Sequence, residues 1–170
     1  MKKLSEIYKE LGIEFKFPIK IKNADGKETY HETSNGFWCK YEYNSSGNMT
    51  YRKDSYGSWR KYEYNSDGNE TYYKDSNNYW RKIEYNSDGN ETYYETSDGY
   101  WHKYEYDSNN NKTYFENSDG YWCKRAYDSS GKETYFENSY GDQKGTPPSA
   151  KTCEGKVVEI DGIKYELKAL

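Results

Sequence analysis

Aromatic and polar residues alternate along most of the chain, and the pattern repeats every 21 positions. The five tryptophans follow this interval, and rows of tyrosine and threonine follow it as well. The tryptophans are Trp38, Trp59, Trp80, Trp101 and Trp122, and the longest tyrosine row runs from Tyr30 to Tyr135. No copy contains an insertion or a deletion. A repeat this regular predicts an array of similar structural units, each packed on its neighbours.

Two turn signals divide each unit into two segments. One has the form Asn/Asp-Ser-x-Gly, as at 65–68, and the other the form Ser-x-Gly, as at 97–99. Glycine adopts the positive φ that such turns require, and Asn78 and Asn110 replace it as the next best residue. The segments between turns are rich in Tyr, Trp and Thr, which is typical of strands. Each unit is therefore predicted to be a β-hairpin, and the fold to be all-β, an antiparallel meander or β-spiral in an open, twisted sheet.

The odd length of the unit constrains its geometry. Strand side chains alternate between two faces, so two equal turns would send equivalent residues to opposite faces in successive units. Either the two turns differ by one residue or each unit contains a β-bulge. Under both alternatives the two faces are distinct. One face carries Tyr79, Arg81, Ile83 and Tyr85, and the other carries Trp80, Lys82 and Glu84.

The two ends of the chain lack the repeat and hold most of the aliphatic residues. Helical spacing of apolar residues predicts a short helix over 3–12, and alternation over 15–21 predicts a first strand. Such ends shield the terminal strands of repeat arrays. The predicted organisation is an N-terminal cap at 1–22, five to six repeats at 23–141, a linker at 142–155, and a C-terminal β-hairpin cap with an Asp-Gly turn at 156–170.

Composition changes the expected nature of the core. Between Glu28 and Gly141 there is no Val and no Leu, so a conventional β-sandwich core is excluded. The chain has 23 tyrosines, and each can bury about 150–250 Å² while its hydroxyl stays at the surface. We therefore expect aromatic ladders to hold the sheet. The net charge of −4 comes from well-mixed acidic and basic residues, which argues against nucleic acid as a partner.

The three cysteines, Cys39, Cys123 and Cys153, form no framework of pairs. The N-terminus lacks an apolar signal segment, and no stretch approaches the ~20 apolar residues that span a bilayer. We therefore expect a reduced, cytoplasmic protein with no membrane partner. Cys39 and Cys123 occupy equivalent positions, so in an open sheet they lie ~38 Å apart. A disulfide requires Cα atoms within about 7 Å, and an open sheet therefore forbids this one.

The unit resembles the YD repeat of the Rhs family. The likeness lies in Tyr-x-Tyr-Asn/Asp-x-x-Gly-Asn stretches, as at 62–69 and at 104–111, and in a second glycine near Gly99 and Gly120. It covers about residues 23–141. In that family long arrays spiral into a shell around a toxin domain, so the resemblance implies strand-rich spiral geometry, although five or six units are fewer than a shell needs. The compact layout also resembles small repeat proteins of bacteriophages, and the aromatic hairpins resemble choline- and glucan-binding repeats.

No motif for catalysis, a metal or a cofactor stands out in the sequence. His31 and His102 lie at different positions of the unit, and Arg52, Arg60 and Arg81 fill variable positions. These residues are predicted to be solvated strand residues. Metal spacing such as Cys-x-x-Cys and a complete calcium-binding loop are absent from the sequence. We therefore expect a protein that is not an enzyme and that carries no cofactor.

The candidate site is the aromatic surface itself. The Trp row is interpreted first as a cross-strand ladder packed with Lys and Tyr side chains. It is interpreted second as a contact surface, because Tyr, Trp and Arg dominate interface hot spots. The predicted binding residues are Trp38, Trp59, Trp80, Trp101, Trp122, Tyr62, Tyr64, Tyr85, Tyr104, Tyr106, Arg60 and Arg81.

Three functional hypotheses follow from this surface. The leading hypothesis is a protein-binding module that occludes or sequesters a partner or pairs with its own copy. A bacteriophage origin would make a host defence protein a natural partner, with the chain as its inhibitor. The alternative is carbohydrate or cell-wall binding, with sugar rings stacked on Trp side chains that repeat every ~9.6 Å. The third is a scaffold or a fragment of a larger shell.

Overall fold

The computed structural model describes residues 2–148 in full, and residues 157–160 and 163–166 as backbone. Helix α1 spans Leu4–Glu10. The strands of the main sheet are β1 (Ile19–Lys22), β2 (Glu28–Glu32), β3 (Trp38–Tyr43), β4 (Met49–Asp54), β5 (Trp59–Tyr64), β6 (Glu70–Asp75), β7 (Trp80–Tyr85), β8 (Glu91–Thr96), β9 (Trp101–Tyr106), β10 (Lys112–Asn117), β11 (Trp122–Tyr127), β12 (Glu133–Asn138) and β13 (Gln143–Gly145). These strands lie in chain order, and each pairs antiparallel with the next. The predicted all-β meander in an open sheet is confirmed.

Each turn is stabilised by the side chain that begins it. At the turn before β6, the Asn65 Oδ1 atom accepts hydrogen bonds from the Asp67 and Asn69 N–H groups, at 3.1 and 2.9 Å. Asp and Asn accept in the same way at the other turns that they begin, whereas the Thr33 and Thr96 hydroxyls donate to the Phe37 and Tyr100 carbonyls. The fourth turn residue has a positive φ, including 65° at Asn78 and 63° at Asn110. The prediction that asparagine replaces glycine in this backbone conformation is confirmed.

A β-bulge in each unit keeps equivalent residues on one face. The two turns have the same length, because the Asn86 N–H donates to the Asn90 oxygen and the Thr96 N–H donates to the Tyr100 oxygen, both at 2.9 Å. The register of the β7–β8 pair shifts between Glu84 and Tyr85. Equivalent shifts occur in the pairs β3–β4, β5–β6, β9–β10 and β11–β12. Of the two alternatives that the odd period allows, the bulge is the one that occurs.

The ends of the sheet differ in part from the prediction. Helix α1 lies within the predicted range, whereas the first strand begins only at Ile19. The predicted linker begins with a short strand, since β13 pairs with β12. Strands β14 (Val157–Ile160) and β15 (Ile163–Glu166) form the predicted C-terminal hairpin. Its Asp-Gly turn and the rest of the predicted linker lie outside the described residues, and its role as a cap stays a prediction.

The sheet has two edges that do not meet. Strands β1 and β13 lie at its opposite ends. Cys39 in β3 and Cys123 in β11 are both free and buried, as expected for positions eight strands apart in an open sheet, while Cys153 lies outside the described residues. The buried apolar side chains of the described residues are few and lie towards the two ends of the sheet, namely Ile19, Trp38, Cys39, Cys123 and Tyr135. The described part of the sheet is therefore a single layer held by aromatic side chains.

Candidate binding surface

The structure divides the predicted binding residues between the two faces of the sheet. We call the face that carries the five tryptophans the Trp face. The cross-strand pairs Lys74–Trp80 and Tyr72–Lys82 lie on it, whereas Tyr73–Arg81 and Tyr62–Tyr73 lie on the opposite face. The predicted binding residues on the opposite face are Tyr62, Tyr64, Tyr85, Tyr104, Tyr106, Arg60 and Arg81. The predicted set is thus two surfaces, and a single flat partner cannot contact both.

The opposite face is largely occupied by its own packing. The Tyr62 and Tyr73 rings lie 5.2 Å apart, and the Arg81 guanidinium lies 4.9 Å from the Tyr73 ring. The Arg81 Nε atom also donates to the Glu70 carboxylate at 2.7 Å. Arg81 is therefore half-buried rather than solvated as predicted, because the Tyr73 ring packs on its guanidinium and the Glu70 carboxylate pairs with it. Arg60, by contrast, is exposed as predicted.

His102 is a second residue whose environment differs from the prediction. Its ring stacks on Tyr94 with a centroid distance of 5.1 Å, and its Nε2 atom lies 2.7 Å from the Glu91 carboxylate. The Nδ1 atom is buried and, among the described residues, has no hydrogen-bond partner. His31 similarly contacts Glu28 at 3.2 Å. Both histidines lie on the opposite face, His102 among the rings of Tyr94, Tyr104 and Phe115 and His31 opposite Cys39.

The tyrosines at the ends of alternate strands have a structural use. The Tyr85 hydroxyl in β7 donates to the Glu70 carbonyl in β6 at 3.0 Å. The same bond recurs from Tyr43, Tyr64, Tyr106 and Tyr127 in their own units. The β6–β7 ladder stops at the pair Tyr72–Lys82, so the hydroxyl reaches a carbonyl beyond the end of the ladder. We call this repeated bond the tyrosine latch.

The Trp face presents a row of equivalent shallow grooves. Each groove is lined by a Glu, a Thr, a Tyr and a Lys that recur at the 21-residue interval. The three sets are Glu42, Thr50, Tyr51 and Lys61; Glu63, Thr71, Tyr72 and Lys82; and Glu84, Thr92, Tyr93 and Lys103. Sequence reasoning placed Lys and Glu beside the Trp row but missed this second row of tyrosines. The register shift at the bulge places it there.

One part of the Trp face is already covered by a polypeptide segment. Helix α1 lies over the N-terminal strands, where the Leu4 N–H donates to the Tyr30 hydroxyl at 3.2 Å. The Ser5 N–H donates to the Glu32 carboxylate at 3.0 Å, and the Ser5 hydroxyl donates to the same group. Glu32 is 1% exposed, and Trp38 beside it is 9% exposed. The other four tryptophans are half-buried, so the surface beyond α1 stays accessible.

The Glu32 carboxylate makes the docking of α1 dependent on pH. Burial alone raises its pKa, but hydrogen bonds from Ser5 and Tyr30 outweigh burial and hold the pKa below the ordinary 4.5. A depressed pKa means that the carboxylate stabilises docking fully above pH 4.5, and that this contribution is lost as the pH falls through the lower folded-state pKa. We expect α1 to detach in that acidic range, as followed by the indole N–H resonance of Trp38.

The control for this expectation is Glu32→Gln. Glutamine has no charge to lose, so the acid transition at Trp38 should disappear, and docking at pH 7 should weaken by about 1.5–3 kcal/mol, the contribution of a hydrogen bond to a charged group. A transition with an unchanged midpoint in Glu32→Gln would assign the pH dependence to a different group.

Two further findings concern the described residues. Among them, no group of three or more His, Cys, Asp or Glu side chains is arranged to hold a metal ion. None of the helices in this part of the chain is long and apolar enough to cross a membrane.

Comparisons with known proteins give a likeness in structure alone. No protein-family model matches the chain, and no curated protein matches it. A chain in the crystal structure of TcdB2-TccC3-Cdc42 aligns with 80% of this chain and 8% of its own length, at 13% identity and a TM-score of 0.49. A chain in the Tc holotoxin pore of Photorhabdus luminescens aligns with 71% of this chain and 9% of its own length, at 13% identity and a TM-score of 0.46. The chain thus spans less than a tenth of these toxin chains, and the resemblance to YD repeats stays a prediction.

Proposed function

We propose that the chain is a non-enzymatic repeat module that binds a protein through the Trp face and acts by occluding or sequestering that partner. The observation that supports this proposal most directly is the docking of helix α1 on the Trp face. A short amphipathic helix already lies on one unit of the Trp face, held by Tyr30 and Glu32. The equivalent rows of Tyr and Trp continue over the following units without that helix. Aromatic side chains that are half-buried in a rigid sheet are well suited to act as interface anchors.

The opposite face is a weaker candidate because its polar pairs are more buried than the exposed Lys–Glu pairs of the Trp face, such as Lys82–Glu84. Arg81 is bound to Glu70, and His102 contacts Glu91. A partner would have to break these contacts, and the cost of leaving a charged group unpaired offsets new contacts. If the chain comes from a bacteriophage, the partner that this proposal favours is a host defence protein, with the chain as its inhibitor.

The proposal is tested by photo-crosslinking from each face. A photo-reactive residue is placed at Lys82 on the Trp face or at Tyr100 on the opposite face, since both side chains are well exposed. A partner cross-linked in cells that encode the chain is identified by mass spectrometry and purified. We expect cross-links from Lys82 and few from Tyr100. Cross-links from Tyr100 alone would show that the partner binds the opposite face and would contradict the proposal.

Affinity for the purified partner then provides the quantitative test. The double variant Lys82→Glu/Glu84→Lys keeps the ion pair between these residues but reverses its direction. We expect binding to weaken by about tenfold or more, because reversing interface charges costs at least ~1.4 kcal/mol when they face complementary groups. Tyr100→Ser, on the opposite face, should leave affinity unchanged, and thermal melts should show both variants folded.

The repeated grooves support carbohydrate binding as a second candidate. Each groove offers a tyrosine ring beside a threonine hydroxyl, a lysine and a glutamate, which are groups that hold sugar rings and hydroxyls. A glycan array combined with a titration of intrinsic Trp fluorescence separates the two candidates. Saturable quenching by an extended glycan would favour this second function over protein binding.

A further inference from the structure

One row of side chains on the Trp face changes sign along the sheet. Its members lie two positions after the tyrosines that repeat from Tyr30 to Tyr135, one in each unit. It consists of Glu32, Lys53, Lys74, Glu95, Glu116 and Glu137. In the later units each glutamate lies opposite a lysine, as in Lys82–Glu95 and Lys103–Glu116. In the second and third units lysine lies opposite lysine instead.

The two lysine pairs are Lys40–Lys53 and Lys61–Lys74. Like charges placed directly opposite each other destabilise a sheet. Lys40 and Lys61 are partly neutralised along their own strands by Glu42 and Glu63, at 2.6 and 2.7 Å. Within residues 2–148, no carboxylate forms such a pair with Lys53 or Lys74. The chain therefore keeps two uncompensated positive charges on an aromatic surface where its other units keep negative ones.

The tyrosine hydroxyls of these units also lack the acceptor found elsewhere. The Tyr30, Tyr114 and Tyr135 hydroxyls each donate to the glutamate two residues on, at 2.9, 3.1 and 2.8 Å. The residue two positions after Tyr51 and Tyr72 is a lysine, which only donates. We call the surface formed by Lys40, Tyr51, Lys53, Lys61, Tyr72 and Lys74 the basic patch. Glu42 and Glu63 lie opposite Tyr51 and Tyr72 on this surface and pair with Lys40 and Lys61, so among residues 2–148 the unpaired positive charges of the patch are those of Lys53 and Lys74.

We propose that the basic patch binds an acidic segment of the protein partner, with carboxylates placed between the opposed lysines. This inference rests on the proposed function and adds the chemistry of the ligand. Bound carboxylates would offset the repulsion within each lysine pair and accept hydrogen bonds from the tyrosine hydroxyls. The resulting surface thus combines charged contacts with the Trp59 and Trp80 rings on the same face.

The extent of the basic patch favours a short ligand. From Lys40 to Lys74 it crosses four neighbouring strands, or ~14 Å at ~4.8 Å per strand. An extended peptide covers that distance with about four or five residues. Beyond the basic patch the face is covered by helix α1 on one side, where Glu32 is buried, and carries Glu95 on the other. A long polyanion such as a nucleic acid would meet helix α1 on one side and the Glu95 carboxylate on the other, whereas a short acidic segment would reach neither.

The test uses the tryptophan indole N–H resonances of the full chain, one for each unit. The probe is the acetylated hexapeptide Glu-Glu-Leu-Glu-Glu-Leu. We expect saturable shifts at Trp59 and Trp80 and none at Trp101 and Trp122, which serve as controls in the same molecule. The peptide with glutamine in place of glutamate should cause no shifts. Equal shifts at all four tryptophans, no shift at Trp59 and Trp80, or equal binding of the glutamine peptide would overturn the proposal.

The double variant Lys53→Glu/Lys74→Glu provides a second, independent test of the proposed acidic ligand. It recreates the lysine–glutamate pairs of later units, so we expect a higher urea midpoint together with loss of peptide binding. A variant that binds the peptide as before overturns the proposal. A ten-nucleotide oligo-dT that shifts Trp59 and Trp80 when the peptide does not would instead identify a nucleic-acid site. If the cross-linked partner binds this variant unchanged at the Trp face, the acidic-segment proposal fails while the proposed function stands.

Discussion

Replacing Tyr85 with alanine is expected to lower the free energy of unfolding by about 2–4 kcal/mol, as for other large aromatic truncations. The ring is half-buried, and its hydroxyl forms the tyrosine latch to the Glu70 carbonyl. Burial raises the pKa of this hydroxyl above its ordinary value of 10.0, so it remains a donor even in mildly alkaline solution. Tyr85→Phe keeps the ring and removes only the hydrogen bond, so it should cost about 0.5–1.5 kcal/mol.

Urea unfolding at pH 7 measures both changes. Glu84→Ala is the matched control, because Glu84 is the neighbouring residue but points to solvent on the Trp face, and it should cost under about 1 kcal/mol. If Tyr85→Phe proved as costly as Tyr85→Ala, the hydroxyl rather than the ring would dominate. If Tyr85→Ala cost no more than Glu84→Ala, the latch would have no role in stability.

Trp80→Ala is expected to lower the free energy of unfolding by a similar amount, about 2–4 kcal/mol. Trp80 is half-buried on the Trp face opposite Lys74. Its backbone also extends the pairing of β7 with β8, since the Ser97 N–H donates to the Trp80 carbonyl at 2.9 Å. Because alanine keeps that backbone bond, the loss measures the indole packing alone. Lys82→Ala, which removes an exposed side chain from the same strand, should cost under about 1 kcal/mol.

The same variant separates the two interpretations of the Trp row. Thermal melts and partner binding are measured side by side for Trp80→Ala. A lower melting temperature supports the interpretation of the row as a structural ladder. An unchanged melting temperature together with lost binding would instead support the interpretation of the row as a contact surface. The preference for the structural ladder would then be wrong.

The fold was largely predictable because the repeat leaves few alternatives. The interval between tryptophans and the Asn and Gly turn residues together specify strands of fixed length. The odd period restricted the geometry to unequal turns or a bulge, and only backbone hydrogen bonds distinguish these, since both produce the same sequence. The strand at Gln143–Gly145 was missed because it has no aromatic residue and pairs only through its backbone.

The candidate surface was less predictable from sequence than the fold. Face assignment within one strand was correct for residues 79–85, since strict alternation governs a single strand. Across the bulge, alternation fails, and the tyrosine row through Tyr72 and Tyr93 was therefore not placed beside the tryptophans. The pairing of Arg81 with Glu70 spans two strands, and nothing in the local pattern of either strand indicates it.

The bulge also bears on how such a protein can change over generations. Because the bulge keeps equivalent residues of successive units on the same face, duplication or deletion of 21 residues adds or removes two strands. The side chains of the remaining units then stay on their original faces. Without the bulge, the gain of an odd number of units would move the side chains of all following units to the opposite face of the sheet. Gain or loss of units thus changes the length of the Trp face in steps of ~9.6 Å. Point substitutions change the chemistry of single units, and units do differ in this way, since Lys53 and Lys74 stand where Glu95 and Glu116 stand in later units.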